Sequence, residues 1–264
     1  MPVREPISIV AIIGGGFTGG AVAWNLARQA GSAGVRIVVF EPREKLGTGL
    51  AYDTANPVHR INVPASKMSL DPSAPEDFAQ WLTETDYVGS DPDSQARDGN
   101  TYPIRDAFGD YVWSLIPPFV QSGAIRHVRS RVAKVMPEGA GWQIIAEDAT
   151  VLRVDCVVIA TSHPSPSAPR LLSSMLEGHP RFIADATTRD ALQPIRKSDA
   201  VLVVGNGLTS ADVIASLIAK LEAKPASSAK TRKACRATGS ASPRRPPWAA
   251  AAIPPATWVP WPSR

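Results

Sequence analysis

Cysteine is almost absent, with Cys156 and Cys235 the only two in 264 residues. There is no CxxC pair and no Cys/His cluster at zinc spacing, which excludes dithiol exchange and a metal-finger scaffold. Cys156 falls inside the apolar run 154–160 and is expected as a reduced, buried thiol. No stretch of eighteen apolar residues occurs, so no membrane span is expected. The first ten residues lack the basic start, apolar stretch and cleavage site of a secretory signal, and a cytoplasmic location is the expectation. Histidine is scarce too, and His59, His127 and His179 have no Ser, Cys or carboxylate nearby in the sequence that would suggest a triad. Excess positive charge is missing from most of the chain. Residues 1–220 hold 20 Lys and Arg against 23 Asp and Glu, whereas residues 221–264 hold 8 against 1. The net charge of +4 therefore belongs to the tail, and the body makes no case for nucleic-acid binding. The partner to expect is a small-molecule substrate, with neither nucleic acid nor membrane.

The 44% hydrophobic and 20% charged fractions are those of a globular protein. Residues 7–13 (ISIVAII) form a short apolar run ending in glycines, as a buried parallel strand reads. Residues 18–30 have helical spacing, and 35–40 (VRIVVF) read as a second buried strand, completing a βαβ unit. Residues 42–77 are rich in Pro, Gly, Asn and Ser and predict an irregular, ordered loop. Residues 78–85 and 107–121 predict helices, with Pro117-Pro118 ending or kinking the second. The β-type runs between 125 and 158 predict a small antiparallel excursion before a return strand. Residues 200–204 (AVLVV) predict a further buried strand, followed by a helix over 208–221.

Residues 12–19 read Ile-Ile-Gly-Gly-Gly-Phe-Thr-Gly, a GxGxxG turn in the strand-to-helix context that gives this motif meaning. Gly14 permits the tight turn, Gly16 lets backbone approach a pyrophosphate, and Gly19 lets the helix pack closely on the strand. A pyrophosphate there meets free N–H groups and the positive end of the helix dipole. Gly14, Gly15, Gly16, Phe17, Thr18 and Gly19 are therefore candidate phosphate-binding residues. Glu41, followed by Pro42, closes the second strand 22 residues beyond Gly19, where a carboxylate accepts hydrogen bonds from ribose hydroxyls. Its charge would repel the 2′-phosphate of NADP. The plain alternative, a glycine turn that merely joins strand to helix, explains neither the spaced acid nor the flanking strands.

Further along stand Gly47-Thr48-Gly49-Leu50-Ala51-Tyr52, residues 61–69 (INVPASKMS), Phe78 with Trp81-Leu82, and Arg105 with Phe108-Gly109 and Tyr111. In these, across residues 7–220, the chain resembles a bacterial group of FAD/NAD(P)-binding flavoproteins that includes the FAD-dependent urate hydroxylase and amino-acid N-hydroxylating families. The resemblance implies a FAD cofactor with flavin contacts near Asn62, Val63 and Met68. Without it, this stretch reads as an ordered surface loop and Met68 as a core filler. Residues 157–164 (VVIATSHP) look like the ATG turn that closes the FAD site of two-dinucleotide flavoproteins, which implies Ala160 and Thr161 at the cofactor. Ser162 stands where glycine is usual, adding a side chain where backbone passes closely. His163 before Pro164 fits a positioning or packing role better than that of a base.

A second turn, residues 203–210 (VVGNGLTS), repeats the phosphate-cradling pattern through Gly205, Asn206 and Gly207, with Ser210 in place of the third glycine. After a FAD motif it looks like the NAD(P)H unit of a flavin oxidoreductase, in which nicotinamide passes a hydride to flavin. Past residue 221 come eight prolines, three of the seven tryptophans and one acidic residue in 44 positions. Such a segment predicts disorder. The composition is what a reading-frame change would produce, so NAD(P)H binding is expected to be weak or absent. The expected fold is α/β, a FAD-binding Rossmann-type parallel sheet with a small antiparallel excursion plus the start of a second NAD(P)-binding unit. The expected division is 1–198 for the FAD domain, 199–221 for the partial second unit, and 222–264 for the tail. The expected function is a FAD-dependent, NAD(P)H-using oxidoreductase of monooxygenase type. The alternative is a nucleotide-binding module or a catalytically defective remnant.

Overall fold

The computed structural model describes residues 8–30, 34–54, 56–188 and 190–222. Apart from Glu222, the tail expectation and Cys235 lie outside the described residues. Contacts divide the chain into two units, Met1–Leu221 and Glu222–Arg264.

β1 (Ser8–Ile13) leads into α1 (Phe17–Ala30) and returns as β2 (Val35–Phe40). A long irregular segment follows, holding α2 (Gly49–Tyr52), a 3-10 turn at Ala65–Lys67, α3 (Asp77–Glu84), α4 (Tyr87–Ser90) and a 3-10 turn at Pro92–Ser94. Then come α5 (Arg105–Leu115), α6 (Pro117–Gln121), β3 (Ile125–Val128), β4 (Val132–Glu138), β5 (Gly141–Ala146), β6 (Val151–Val154), β7 (Cys156–Ile159), α7 (Arg170–Leu176) and α8 (Leu208–Glu222).

The fold is α/β of Rossmann type. A parallel sheet has the order β3-β2-β1-β7, and β4-β5-β6 form a separate antiparallel sheet. Ser8 to Ile13 register against Val35 to Phe40, and Val10 to Ile13 against Cys156 to Ile159. The period-2 alternation of strands sorts the side chains. Ile12, Ile37, Val39 and Ile125 face one core with Trp24 of α1 and Phe108, Tyr111 and Val112 of α5. Ala11, Val38, Phe40 and Val128 face the other, closed by Ile144, Ala146 and Val154 of the antiparallel sheet. Both faces of β1 and β2 are thus covered, which is why 9–13 and 37–40 are unbroken apolar runs.

Four expectations change against the structure. Residues 125–128 do not belong to the antiparallel excursion; they pair in parallel with β2, Ile37 opposite Ile125. The helix expected over 107–121 begins two residues earlier, at Arg105; its break before Pro117, where the missing N–H ends it and α6 starts, is the one expected of the proline pair. Cys156 is exposed rather than buried: β7 is the last strand of the sheet, and only Val157 and Val158 pack inward. Residues 200–204 form no strand, and Leu202 is 86% exposed. Apolar character makes a strand only where a neighbour supplies the ladder hydrogen bonds, and among the described residues none lies beside this run.

Candidate functional site

The parallel strands end together, and their carboxyl ends build the site. Gly14 leaves β1 at φ +95°, a conformation that L side chains rarely adopt, and its N–H donates to Phe40 O at 3.0 Å. A Cβ on Gly19 would strike the carbonyl oxygen of Gly14, so only glycine lets α1 start flush against β1. Ala160, at the end of β7, donates its N–H to Ile13 O at 2.8 Å, and its carbonyl lies where a Cβ on Gly14 would stand. Thr161 is exposed just beyond it. The first turn of α1, Phe17 and the exposed Thr18 included, carries no acidic residue, so nothing there opposes an anion.

Glu41 sits at the end of β2, only 4% exposed. Its Oε2 accepts the Gly15 N–H at 3.0 Å, and its Oε1 accepts from the Arg43 backbone N–H and Nη1 at 3.0 and 3.1 Å. The carbonyl of Glu41 accepts from His127 Nε2 at 2.8 Å. The acid expected at the ribose is therefore a clamp that fixes the glycine turn. Oε1 already accepts two hydrogen bonds and Oε2 one, which leaves one lone pair on Oε2 for a ligand. Pro42 follows, exposed.

A second glycine segment, not singled out as a site residue set from the sequence, completes this wall. Gly47 donates to Gly15 O at 2.8 Å. A Cβ on Gly49 would stand 2.9 Å from Gly16 Cα, so the two chains meet backbone to backbone. Thr48 between them is buried, and its hydroxyl has no partner among the described residues. Phe17, Tyr52 and Phe108 pack ring against ring beside it, with centroids 4.8 to 5.6 Å apart. The sequence signal was the GTG triplet, whose three-dimensional neighbour cannot be read from spacing.

Asn62 and Val63 lie exposed on a loop tied down by Ile61 N–H to Pro103 O and Ala65 N–H to Thr101 O, both 3.0 Å. Met68 is half-buried against the main core. No hydrogen bond joins these three to the glycine turn. Gly205, Asn206 and Gly207 are exposed, and Cβ atoms on Gly205 and Gly207 would meet nothing within 4 Å. The helix that follows them is nonetheless attached. Arg105 pairs with Asp212 at 2.9 Å, and His59 Nε2 lies 2.9 Å from Ser216 Oγ. His59 thus has the serine neighbour that the sequence does not reveal, since the two lie 157 residues apart. The same hydroxyl accepts from Asn56 Nδ2 at 2.9 Å, so the pair is a packing contact of α8 rather than a nucleophile and base. Burial holds the His59 imidazole below its ordinary value. A cleft of about 640 Å³ opens beside Val58, Arg60, Tyr87, Asp91 and Ile104, where Arg60 and Asp91 already pair bidentately at 2.8 and 2.9 Å. Among the described residues no His/Cys/Asp/Glu group could hold a metal, and no helix is long and apolar enough to cross a membrane.

The residues fit a dinucleotide at the first turn: a positive-φ glycine, a helix N-terminus free of acid, and a buried carboxylate with one spare lone pair at the next strand end. The second turn shows no such enclosure among the described residues.

A family model described as FAD-NAD(P)-binding matches residues 11–164. That span includes Gly14 to Gly19, Glu41, Asn62 to Met68 and Ala160–Thr161, and stops short of Gly205. No curated protein matches. Solved structures to which the chain is similar include a flavin-containing monooxygenase from Stenotrophomonas maltophilia, at 21% identity over 61% of this chain and 42% of that one, TM-score 0.39. A cyclohexanone monooxygenase mutant from Rhodococcus sp. Phi1 bound to NADP+ is similar at 18% identity over 61% and 28%, TM-score 0.42. FqzB is similar at 16% identity over 60% and 37%, TM-score 0.37. The chain spans less than half the length of each.

Proposed function

The chain belongs to the FAD-NAD(P)-binding family, and from that premise we propose that it is a FAD-dependent, NAD(P)H-using oxidoreductase of monooxygenase type acting on a small molecule. Within that class, residues 47–52, 61–69 and 105–111 favour the group containing the urate hydroxylases and amino-acid N-hydroxylases. The supporting observation is the Glu41–Gly15 clamp, which makes the ribose acid and the phosphate turn one rigid unit. When bound, FAD would supply the redox chemistry, with reduced nicotinamide as the electron source and dioxygen as the acceptor. The chain's own part is to bind and orient. The α1 amides at Phe17 and Thr18 hold the pyrophosphate, and Glu41 with Pro42 borders the ribose. Ala160 and Thr161 close the strand end, and Asn62, Val63 and Met68 border the flavin.

The division into a FAD domain over 1–198 and a partial NAD(P) unit over 199–221 belongs to the same proposal, with Gly205, Asn206 and Gly207 as the second phosphate turn. A second reading, a dinucleotide-binding module without turnover, draws on one observation: the 200–207 segment is exposed but for the half-buried Val203 and pairs with no strand among the described residues. The two readings separate in a spectrum and a rate. Protein incubated with FAD and desalted should keep a flavin absorbance band, and a colourless product would refute both. NADPH or NADH should then bleach that band in a stopped-flow trace if the chain is an oxidoreductase, and leave it unchanged if it is a module.

A further inference from the structure

The helix that follows the second glycine turn is held by few contacts. α8 buries Val213 and Leu217, while Leu208, Ile214 and Ile218 on its other side are exposed. Its Asp212–Arg105 ion pair at 2.9 Å is partly solvated, and such pairs are worth little. Lys220 Nζ donates to the carbonyls of Leu192, Gln193 and Ile195 at 2.7 to 2.8 Å. Those bonds tie the far end of α8 to the stretch before it, not to the sheet or to α5. An element with so little buried contact opens at low cost.

The polar contact at its centre admits one protonation state. Asn56 Oδ1 accepts the Val58 N–H at 3.2 Å, which fixes the amide with Nδ2 toward α8. That Nδ2 donates to Ser216 Oγ at 2.9 Å and lies 3.4 Å from His59 Nε2. Ser216 Oγ, having accepted from Asn56, donates its own proton to the same Nε2 at 2.9 Å. Two donors thus converge on Nε2, which must offer a lone pair. Nδ1 then carries the hydrogen and donates to Thr54 Oγ1 at 3.3 Å. A proton on Nε2 would face the Asn56 N–H and turn the Ser216 hydroxyl away. The charges that face the ring are Asp212 of α8 and Arg105 of α5, paired with each other and opposite in effect. The Asp212 backbone also favours the cation, yet burial outweighs it and holds the half-buried ring below its ordinary 6.5.

We infer that His59 is a proton-operated latch: neutral, it holds α8 on the 54–60 loop and α5; protonated, it releases α8 together with the second glycine turn. The latch needs no nucleotide and stands apart from the FAD reading. Released, the ring returns to its ordinary 6.5; docked, it lies lower. Docking is therefore at full strength above that value and weakens as pH falls toward the lower, docked one.

Hydrogen exchange of the full chain, followed by mass spectrometry on peptides from 208–221 and from 8–13, tests this. Rates are corrected for the chemical effect of pH, and β1 reports global opening. Between about pH 8 and about pH 5, protection of α8 should fall by up to about tenfold per unit, the limit for one proton, while β1 stays constant. His59→Gln cannot titrate and should give a flat profile. Asn56→Asp keeps an acceptor for Val58 but sets a carboxylate at Nε2, so the imidazolium becomes the favoured form. Its profile should invert, with α8 tightening as pH falls. A packing role alone would not reverse the sign. A flat wild-type profile would overturn the latch. A slope that survives in His59→Gln would put the proton on another group, and parallel loss in β1 would make the event global unfolding; either overturns the inference. So would an Asn56→Asp profile that keeps the wild-type sign.

Discussion

Replacing Glu41 by alanine removes the acceptor of three donors at once: the Gly15 N–H, the Arg43 N–H and Arg43 Nη1. Gly15 is buried, so its N–H loses a partner that water cannot readily replace. Leaving such a donor unsatisfied costs about 1–3 kcal/mol. For a body of this size that lowers the thermal midpoint of the ligand-free protein by roughly 2–10 °C. Arg43 is about one-third exposed and regains water, so its share is small. The ligand adds a separate cost. Charge-assisted hydrogen bonds from ribose hydroxyls are worth about 1.5–3 kcal/mol, which predicts FAD binding weakened more than tenfold. Glu41→Gln divides the two effects, because its amide oxygen can still accept from Gly15 while the charge is gone. It should recover most of the midpoint and little of the affinity. Melting curves without ligand and calorimetric FAD titrations read both. A lowered midpoint with unchanged affinity would leave Glu41 as a clamp of the turn and refute its ribose role; no change in either would put its carboxylate in solvent.

Gly16→Val should abolish FAD uptake, measured by retained flavin absorbance after desalting, while the apo fold survives because a Cβ at residue 16 meets only Gly49 Cα at 3.4 Å. Tyr111→Phe should destabilise by about 1–3 kcal/mol in urea titration, since the buried hydroxyl donates to Asp77 at 2.6 Å and accepts the Leu70 N–H at 3.2 Å. Burial pushes that hydroxyl up to about 12, so it remains a donor at neutral pH, and an unchanged urea midpoint would refute its structural role. Because burial lowers the folded His59 below its ordinary 6.5, the unfolded chain takes up the proton first as pH falls. Stability from neutral His59 is full above that value and declines below it; His59→Gln should flatten the profile, and an unaltered slope would place the titration elsewhere. Flavin bleaching by NADPH or NADH should be slow, given the open turn at Gly205 and Gly207, and fast saturable reduction would refute that expectation.

The parts of the fold legible in the sequence are those whose signal is local. The run 7–13, the turn at Gly14 to Gly19 and the run 35–40 lie close together, so period, motif and order can be read without knowing the rest. Glu41 was placed by spacing, yet its second task, holding the Gly15 N–H, depends on a distance that spacing does not encode. Residues 125–128 look like any short β run, and only the free edge of β2 decides that they pair there in parallel. Cys156 reads as buried because its neighbours are apolar, and burial at a sheet's last strand depends on what covers that strand. His59 and Ser216 meet through helix docking across most of the chain.

The two glycine turns carry the remaining lesson, since their local sequences are nearly alike. Gly14 to Gly19 are enclosed by other parts of the chain: the Ala160 backbone just past β7, the Glu41 carboxylate just past β2, and the backbone of Gly47 and Gly49 from the following loop. Remove those neighbours and what remains is the situation of Gly205, at φ +118° with the same freedom of turn and nothing within 4 Å of its missing Cβ. A phosphate contacted by one helix terminus in open water gains little, because salt and solvent screen the dipole within its first turn. The enclosing strands and loop, rather than the glycines, convert the same motif into a binding site. The run 200–204 shows the matching dependence for structure: five apolar residues that would form a buried strand beside a partner form no strand without one, and Val201, Leu202 and Val204 stay exposed.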